Sequence, residues 1–140
     1  MKKFPTLEEI KKTRERLGTL IQETPAHLWT DPRLTEQVGK GTEVFVKLEL
    51  FQVTGTFKPR GALNVMLNLS PSQLKQGVTA VSAGNHAIAT AYAAKALGTS
   101  AKVVMPKTAN PLRMKLSRDL GAEIELAESP LEAFARVKQI

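Results

Sequence analysis

"VTAVSAGNHAIATAYAAKALGTSAKVVMP", residues 78–106, decides the architecture. "VTAVSA" at its start is short and rich in apolar and β-branched residues, and reads as a strand. "GNHAIATAYAAKALG" follows as an Ala-rich helix, alanine being the strongest helix former, with Gly98 as its stop. "AKVVMP" is a second strand. Strand, helix and strand joined by short connections imply a parallel pair with a right-handed crossover.

The same alternation extends outward in both directions. Downstream, Asn110-Pro111 opens a helix that runs to Gly121, "AEIELA" is a strand, and Ser129-Pro130 with Glu132 opens a last helix. That helix reaches Ile140 without a stop signal, an abrupt end that suggests a fragment. Upstream, Ser70-Pro71 with Gln73 starts a short helix stopped by Gly77, and a helix is expected over about 58–68. "TEVFVKLEL", 42–50, reads as a strand, and "TPAHLWTDPRL", 24–34, as a loop containing Pro25 and Pro32. Thr6 with Glu9 forms a capping box before a helix over 7–17, whose Leu7, Ile10 and Leu17 share one face and which ends at Gly18. The whole is α/β with a parallel sheet, without repeats or low-complexity segments.

Composition narrows the function. The chain has 140 residues, enough for one domain with a real core. No apolar run approaches the roughly 18 residues of a membrane span, and the N-terminal lysines are not followed by the apolar segment of a secretory signal. The absence of cysteine excludes disulfides and thiolate chemistry, and a cytoplasmic address follows by default. The net charge of +7 fits small anionic ligands better than nucleic acid. The basic residues are dispersed, clustering only at Lys2-Lys3 and Lys11-Lys12, and the few aromatics are not interleaved with them.

Two stretches carry chemistry. In "QVTGTFKPRGA", 52–62, Thr56 reads as an N-cap, which makes Lys58 the second residue of a helix. A cation there faces the positive end of the helix dipole, and Arg60 repeats the conflict. Either both side chains are simply solvated, or the setting favours a neutral, nucleophilic amine at Lys58 able to form a Schiff base. "SAGNHA", 82–87, lies in a turn between strand and helix, at the carboxyl end of a parallel strand where α/β folds bind ligands. Ser82, Gly84 and Asn85 are expected to expose backbone N–H groups to a carboxylate or phosphate there, although a plain capped turn has the same composition. His86 beside them is as compatible with packing as with catalysis. There is no dinucleotide fingerprint, no phosphate loop of the nucleotidase type, and no metal site is read.

Taken together, "KLELFQVTGTFKPRGALN" and "SAGNHAIATAYAAKALG" resemble the serine/threonine dehydratase and serine racemase group of pyridoxal 5′-phosphate enzymes, and "VVMPKTANPLRMKLSRDLGAEI" resembles that group's next βαβ unit. The resemblance runs from about Thr24 to the end of the chain. It implies a tryptophan-synthase-β-like fold: residues 52–140 would form the three-layer small domain of a fold-type II enzyme, a parallel sheet with flanking helices. Residues 1–51 would be a segment of the large domain. It makes Lys58 the Schiff-base lysine and the base for the substrate's Cα proton. Phe57 would pack on the cofactor ring and Asn85 would bond its 3′-oxygen. Ser82, Gly84, Asn85 and His86 would grip the carboxylate of a small amino acid substrate.

The sequence departs from this group at three points. Thr56 replaces the usual Ser. Ala83 stands where serine racemases carry the serine that serves the opposite substrate face, which favours elimination over racemisation. The group's glycine-rich phosphate loop, its partner for the pyridine nitrogen and its cation ligands all lie beyond Ile140. The chain is therefore expected not to hold the cofactor tightly by itself, and to expose apolar faces that favour a homo-oligomer. Two functions follow: dehydration of serine or threonine, or a non-catalytic α/β module that folds and self-associates.

Overall fold

The chain forms a three-stranded parallel sheet, β3 (Val78–Val81), β4 (Ala101–Pro106) and β5 (Glu123–Ala127), with β4 in the middle. Val78 pairs with Ala101 and Val81 with Val104 across β3–β4; Lys102 pairs with Glu123 and Pro106 with Ala127 across β4–β5. The structure, a computed structural model, describes residues 4–140, so the Lys2-Lys3 pair lies outside the described residues. A central parallel strand is covered on both faces, and β4 accordingly buries Val103, Val104 and Met105 completely. One face packs Ala80, Val103 and Met105 against α3 (Lys58–Met66) and α5 (Asn85–Ala96), through Leu63, Ala87 and Ala91. Met114 of α6 (Pro111–Asp119) joins the same cluster. The other face packs Val104 and Ala127 against Ala133 of α7 (Pro130–Arg136). The expected three layers are present.

The local signals at four helix starts are realised. The Thr6 hydroxyl accepts from the Glu9 N–H at 3.2 Å while the Glu9 carboxylate accepts from the Thr6 N–H at 2.6 Å, opening α1 (Leu7–Leu17). Ser70 and Gln73 form the same box at α4 (Pro71–Gln76). Asn110 caps α6 through Leu112 at 2.8 Å, and Ser129 caps α7 through Glu132 at 3.2 Å.

Four expectations are corrected. Residues 24–34 are not a plain loop: Ala26–Leu28 is β1, and Pro32–Val38 is α2. The strand expected over 42–50 contracts to β2, Phe45–Lys47, which pairs antiparallel with β1 outside the main sheet. Cross-strand pairing is non-local, so three-residue strands leave no periodicity to read, and Pro32 is at home as the first residue of a helix. The helix expected over 58–68 ends at Met66, and α7 ends at Arg136 in a 3-10 turn over Val137–Gln139 instead of running to Ile140.

Two substitutions test this packing. Leu63 is fully buried where α3 meets the core, so Leu63→Ala is expected to cost about 2–5 kcal/mol, read as a lower urea midpoint. Gly77 has φ +87°, and a Cβ there would stand 2.3 Å from Ser100 Oγ, beside the Val78 N–H to Ser100 carbonyl bond that starts the β3–β4 pair. Gly77→Ala should therefore lower stability by about 1–3 kcal/mol in the same assay.

Candidate active site

The approach to Lys58 is a pair of tight turns, Glu49–Phe51 and Val53–Gly55. The second turn carries consecutive left-handed residues, Thr54 at φ +65° and Gly55 at φ +70°. Glycine adopts this conformation freely, whereas a β-branched threonine is an outlier. The chain straightens at Thr56, and Phe57 already has helical dihedrals, φ −69° and ψ −12°. Lys58 is thus the first residue of α3 and not the second, with Phe57 in the cap position. The Thr56 hydroxyl still accepts from the Lys58 N–H, at 3.3 Å. Pro59 follows, where a missing N–H costs nothing.

Lys58 Nζ lies 5.0 Å from the centroid of the Phe57 ring, within range of a cation–π attraction. Both side chains reach a cavity of about 630 Å³ between α3, β3 and α5, whose walls include Val65, Met66, Ala80 and Thr90. His86, from the first turn of α5, shares that cavity. Loss of water around the imidazole, reinforced by the nearby Lys58 charge, lowers the His86 pKa.

The turn at 82–85 is partly self-satisfied. The Ser82 N–H donates to the Val104 carbonyl at 3.2 Å, and the Gly84 N–H donates to the Ser82 hydroxyl at 3.1 Å. Of the three donors expected at Ser82, Gly84 and Asn85, the first two are therefore taken. Gly84 has no side chain with which to cap α5, so the N–H groups of Asn85 and His86 are left without intrahelical partners. Ser82, Gly84 and Asn85 are not in the cavity wall; they stand at the carboxyl end of β3, adjoining His86. The structure brings Lys58, Phe57 and His86 together directly, and Ser82, Gly84 and Asn85 to the adjoining turn.

Arg60 differs from its expected role. Its guanidinium forms a fork with Glu49, Nε to Oε2 at 2.8 Å and Nη2 to Oε1 at 2.9 Å. The fork holds the Glu49 carboxyl below the ordinary carboxylate range, with a smaller contribution from the Thr24 hydroxyl at 2.5 Å. Gln52 is buried and bonds the backbone of Gln22 in both directions, at 2.8 and 2.7 Å. Sequence reasoning singled out none of Thr24, Glu49 or Gln52. The one local signal is a buried-type amide and a lone acid beside the lysine stretch.

The His86 geometry sets a pH dependence. Its folded pKa lies below the unfolded value, so between the two the unfolded chain binds more protons and folding stability falls as pH drops. Titration of the imidazole by NMR should give a midpoint below the ordinary histidine value. Lys58→Met should raise it part of the way, leaving the share due to burial.

Comparison with known proteins gives the same direction. The family model described as "Pyridoxal-phosphate dependent enzyme" matches residues 19–140. A phenylserine dehydratase of Ralstonia pickettii is 50% identical over 137 residues, 98% of this chain and 41% of that enzyme. An L-threonine ammonia-lyase of Thermotoga maritima is 38% identical over 138 residues, 96% of this chain and 33% of that enzyme. The structure of maize serine racemase superposes with a TM-score of 0.81 at 30% identity, over 95% of this chain and 40% of that one. The chain thus spans well under half the length of these relatives.

Proposed function

The chain belongs to the pyridoxal-phosphate dependent enzymes, and from that premise we propose that it serves the elimination of water from serine, threonine or another 3-hydroxy amino acid. The net products are a 2-oxo acid and ammonia. The observation that carries the reading is the Lys58 amine beside the Phe57 ring, in a cavity shared with His86.

The residues present fit the reactive end of the cofactor. A primary amine, an aromatic face and unsatisfied N–H donors of α5 are what an aldehyde on an anionic heterocycle requires. Lys58 would hold it covalently through Nζ, Phe57 would cover its ring, and the Asn85 amide would bond its 3′-oxygen. When bound, the cofactor supplies an electron sink for the charge developed at the substrate's α-carbon. Once the substrate's own amine has displaced it from that bond, Nζ of Lys58 would be free to take the α-proton and hand it to the departing β-hydroxyl, which leaves as water. The loop of Ser82, Gly84, Asn85 and His86 orients the substrate carboxylate through the Asn85 and His86 N–H groups. Ala83 offers no hydroxyl for the opposite face of the substrate, which supports elimination over racemisation.

Residues 52–140 form the small domain in this reading, and 1–51 belong with the large domain of the longer relatives. A cytoplasmic homo-oligomer is the assembly inferred, supported by exposed Trp29, Phe45 and Phe134.

The test is reductive trapping. The chain is mixed with pyridoxal 5′-phosphate, reduced with borohydride, and the adduct located by peptide mass. A single pyridoxyl adduct on Lys58, lost in Lys58→Ala, is expected, together with a fall in serine or threonine dehydration of at least about 100-fold. Labelling scattered over many lysines and unchanged in Lys58→Ala overturns the assignment.

A further inference from the structure

We propose that Gln52 and the Arg60–Glu49 pair are positioning residues that hold the strained turn at Val53–Phe57 and thereby aim the Lys58 amine; this rests on Lys58 being the cofactor lysine.

The turn cannot account for its own shape. Thr54 sits in the left-handed region, and its buried hydroxyl has no hydrogen-bond partner. Such a residue persists only where its surroundings over-determine it. Two grips do so, one on each side of Lys58. Upstream, Gln52 Oε1 accepts from the Gln22 N–H and from the Val53 N–H at 3.0 Å, and Nε2 donates to the Gln22 carbonyl. The Gln52 carbonyl then accepts from the Gly55 N–H at 2.8 Å, closing the turn. Downstream, Arg60 forks onto Glu49 and reaches the Gln22 carbonyl at 3.2 Å, while Glu49 is bonded by the Thr24 hydroxyl.

Both grips therefore reach the same short segment, Gln22–Thr24, the downstream one also through Glu49. Gln52 and Thr24 are each 3% exposed, so the bonds their side chains make lie largely away from water, where an unmade one is expensive. An amine on a long, flexible side chain gains its direction from the backbone that carries it. Here that backbone is fixed immediately before and after Lys58.

Gln52→Leu removes one grip and Glu49→Gln the charge of the other, while Arg60→Lys keeps the charge but loses the fork. Each is subjected to borohydride trapping with pyridoxal 5′-phosphate, comparing the rate at Lys58 with that at the exposed Lys75 and Lys95 in the same molecule. Circular dichroism and urea midpoints are recorded in parallel. Gln52→Leu and Glu49→Gln should reduce the Lys58 preference about tenfold while the chain remains folded, with Arg60→Lys between them and wild type. Should a grip variant not fold, Arg60→Lys carries the test. Wild-type preference retained by the folded variants, with only the urea midpoint lowered, overturns the positioning role and leaves Lys58 assigned. Absence of any Lys58 preference in the wild type overturns the cofactor-lysine reading and this inference with it.

Discussion

Everything near the site depends on how closely α5 can approach its neighbours. Ala87, Ala89, Ala91, Ala93 and Ala94 are all at or below 2% exposure, so the helix is buried nearly all round. A helix without a polar stripe is one surrounded by protein. With mostly methyl groups on its buried faces, α5 lies tight against β3 and β4 and is flanked by α3 and α6. Close packing of this kind tolerates little displacement, because interiors are filled to crystal-like density. The start of α5 is thereby fixed at the carboxyl end of β3, with the start of α3 beside it, near enough for Lys58 to act on His86.

The charges around that junction follow from the same geometry. Lys58, Arg60 and His86 converge where two helices begin, and no acidic residue stands in the first turn of either. Helix starts are already positive, so the arrangement is electrostatically uphill without an anion. Glu49 absorbs Arg60, and loss of water holds His86 towards its neutral form. What remains is one amine and the unsatisfied N–H groups of Asn85 and His86, a combination complementary to a carbonyl and a carboxylate.

The parts legible in the sequence are those written in neighbouring residues. Thr6 with Glu9, Ser70 with Gln73, Asn110 and Ser129 each satisfy donors only a few residues away, so helix starts were readable. The β3–α5–β4 unit was readable because its strands are short stretches rich in apolar and β-branched residues and its helix is rich in alanine. β2 was read only as part of a longer strand over 42–50, and β1 was missed, because Leu28 meets Phe45 only after α2 has intervened. The grip on Lys58 was hidden for the same reason: Gln22 bonds Gln52, and Thr24 bonds Glu49, across stretches with no shared periodicity. Lys58 stood out because a cation is odd at a helix start, and His86 only through the motif it belongs to; Gln52 and Glu49 did not, because what marks them is their contact with Gln22 and Thr24 far along the chain.

The register of α3 links the fold to the chemistry. One residue of slip turns a helical side chain by about 100°, which would swing Lys58 away from the cavity and bring Phe57 or Pro59 into its place. Propensity does not fix that register, since the first turn offers only a threonine hydroxyl at 3.3 Å as a cap. It is fixed by three contacts that must be met at once: Leu63 in the core, Arg60 on Glu49, and Thr54 forced left-handed behind Gln52. Shifting α3 by one position breaks all three. The strain at Thr54 is then the consequence of a helix whose start is dictated by its far contacts, and Lys58 is held in place because a shifted register leaves the half-buried Glu49 carboxylate without its Arg60 fork.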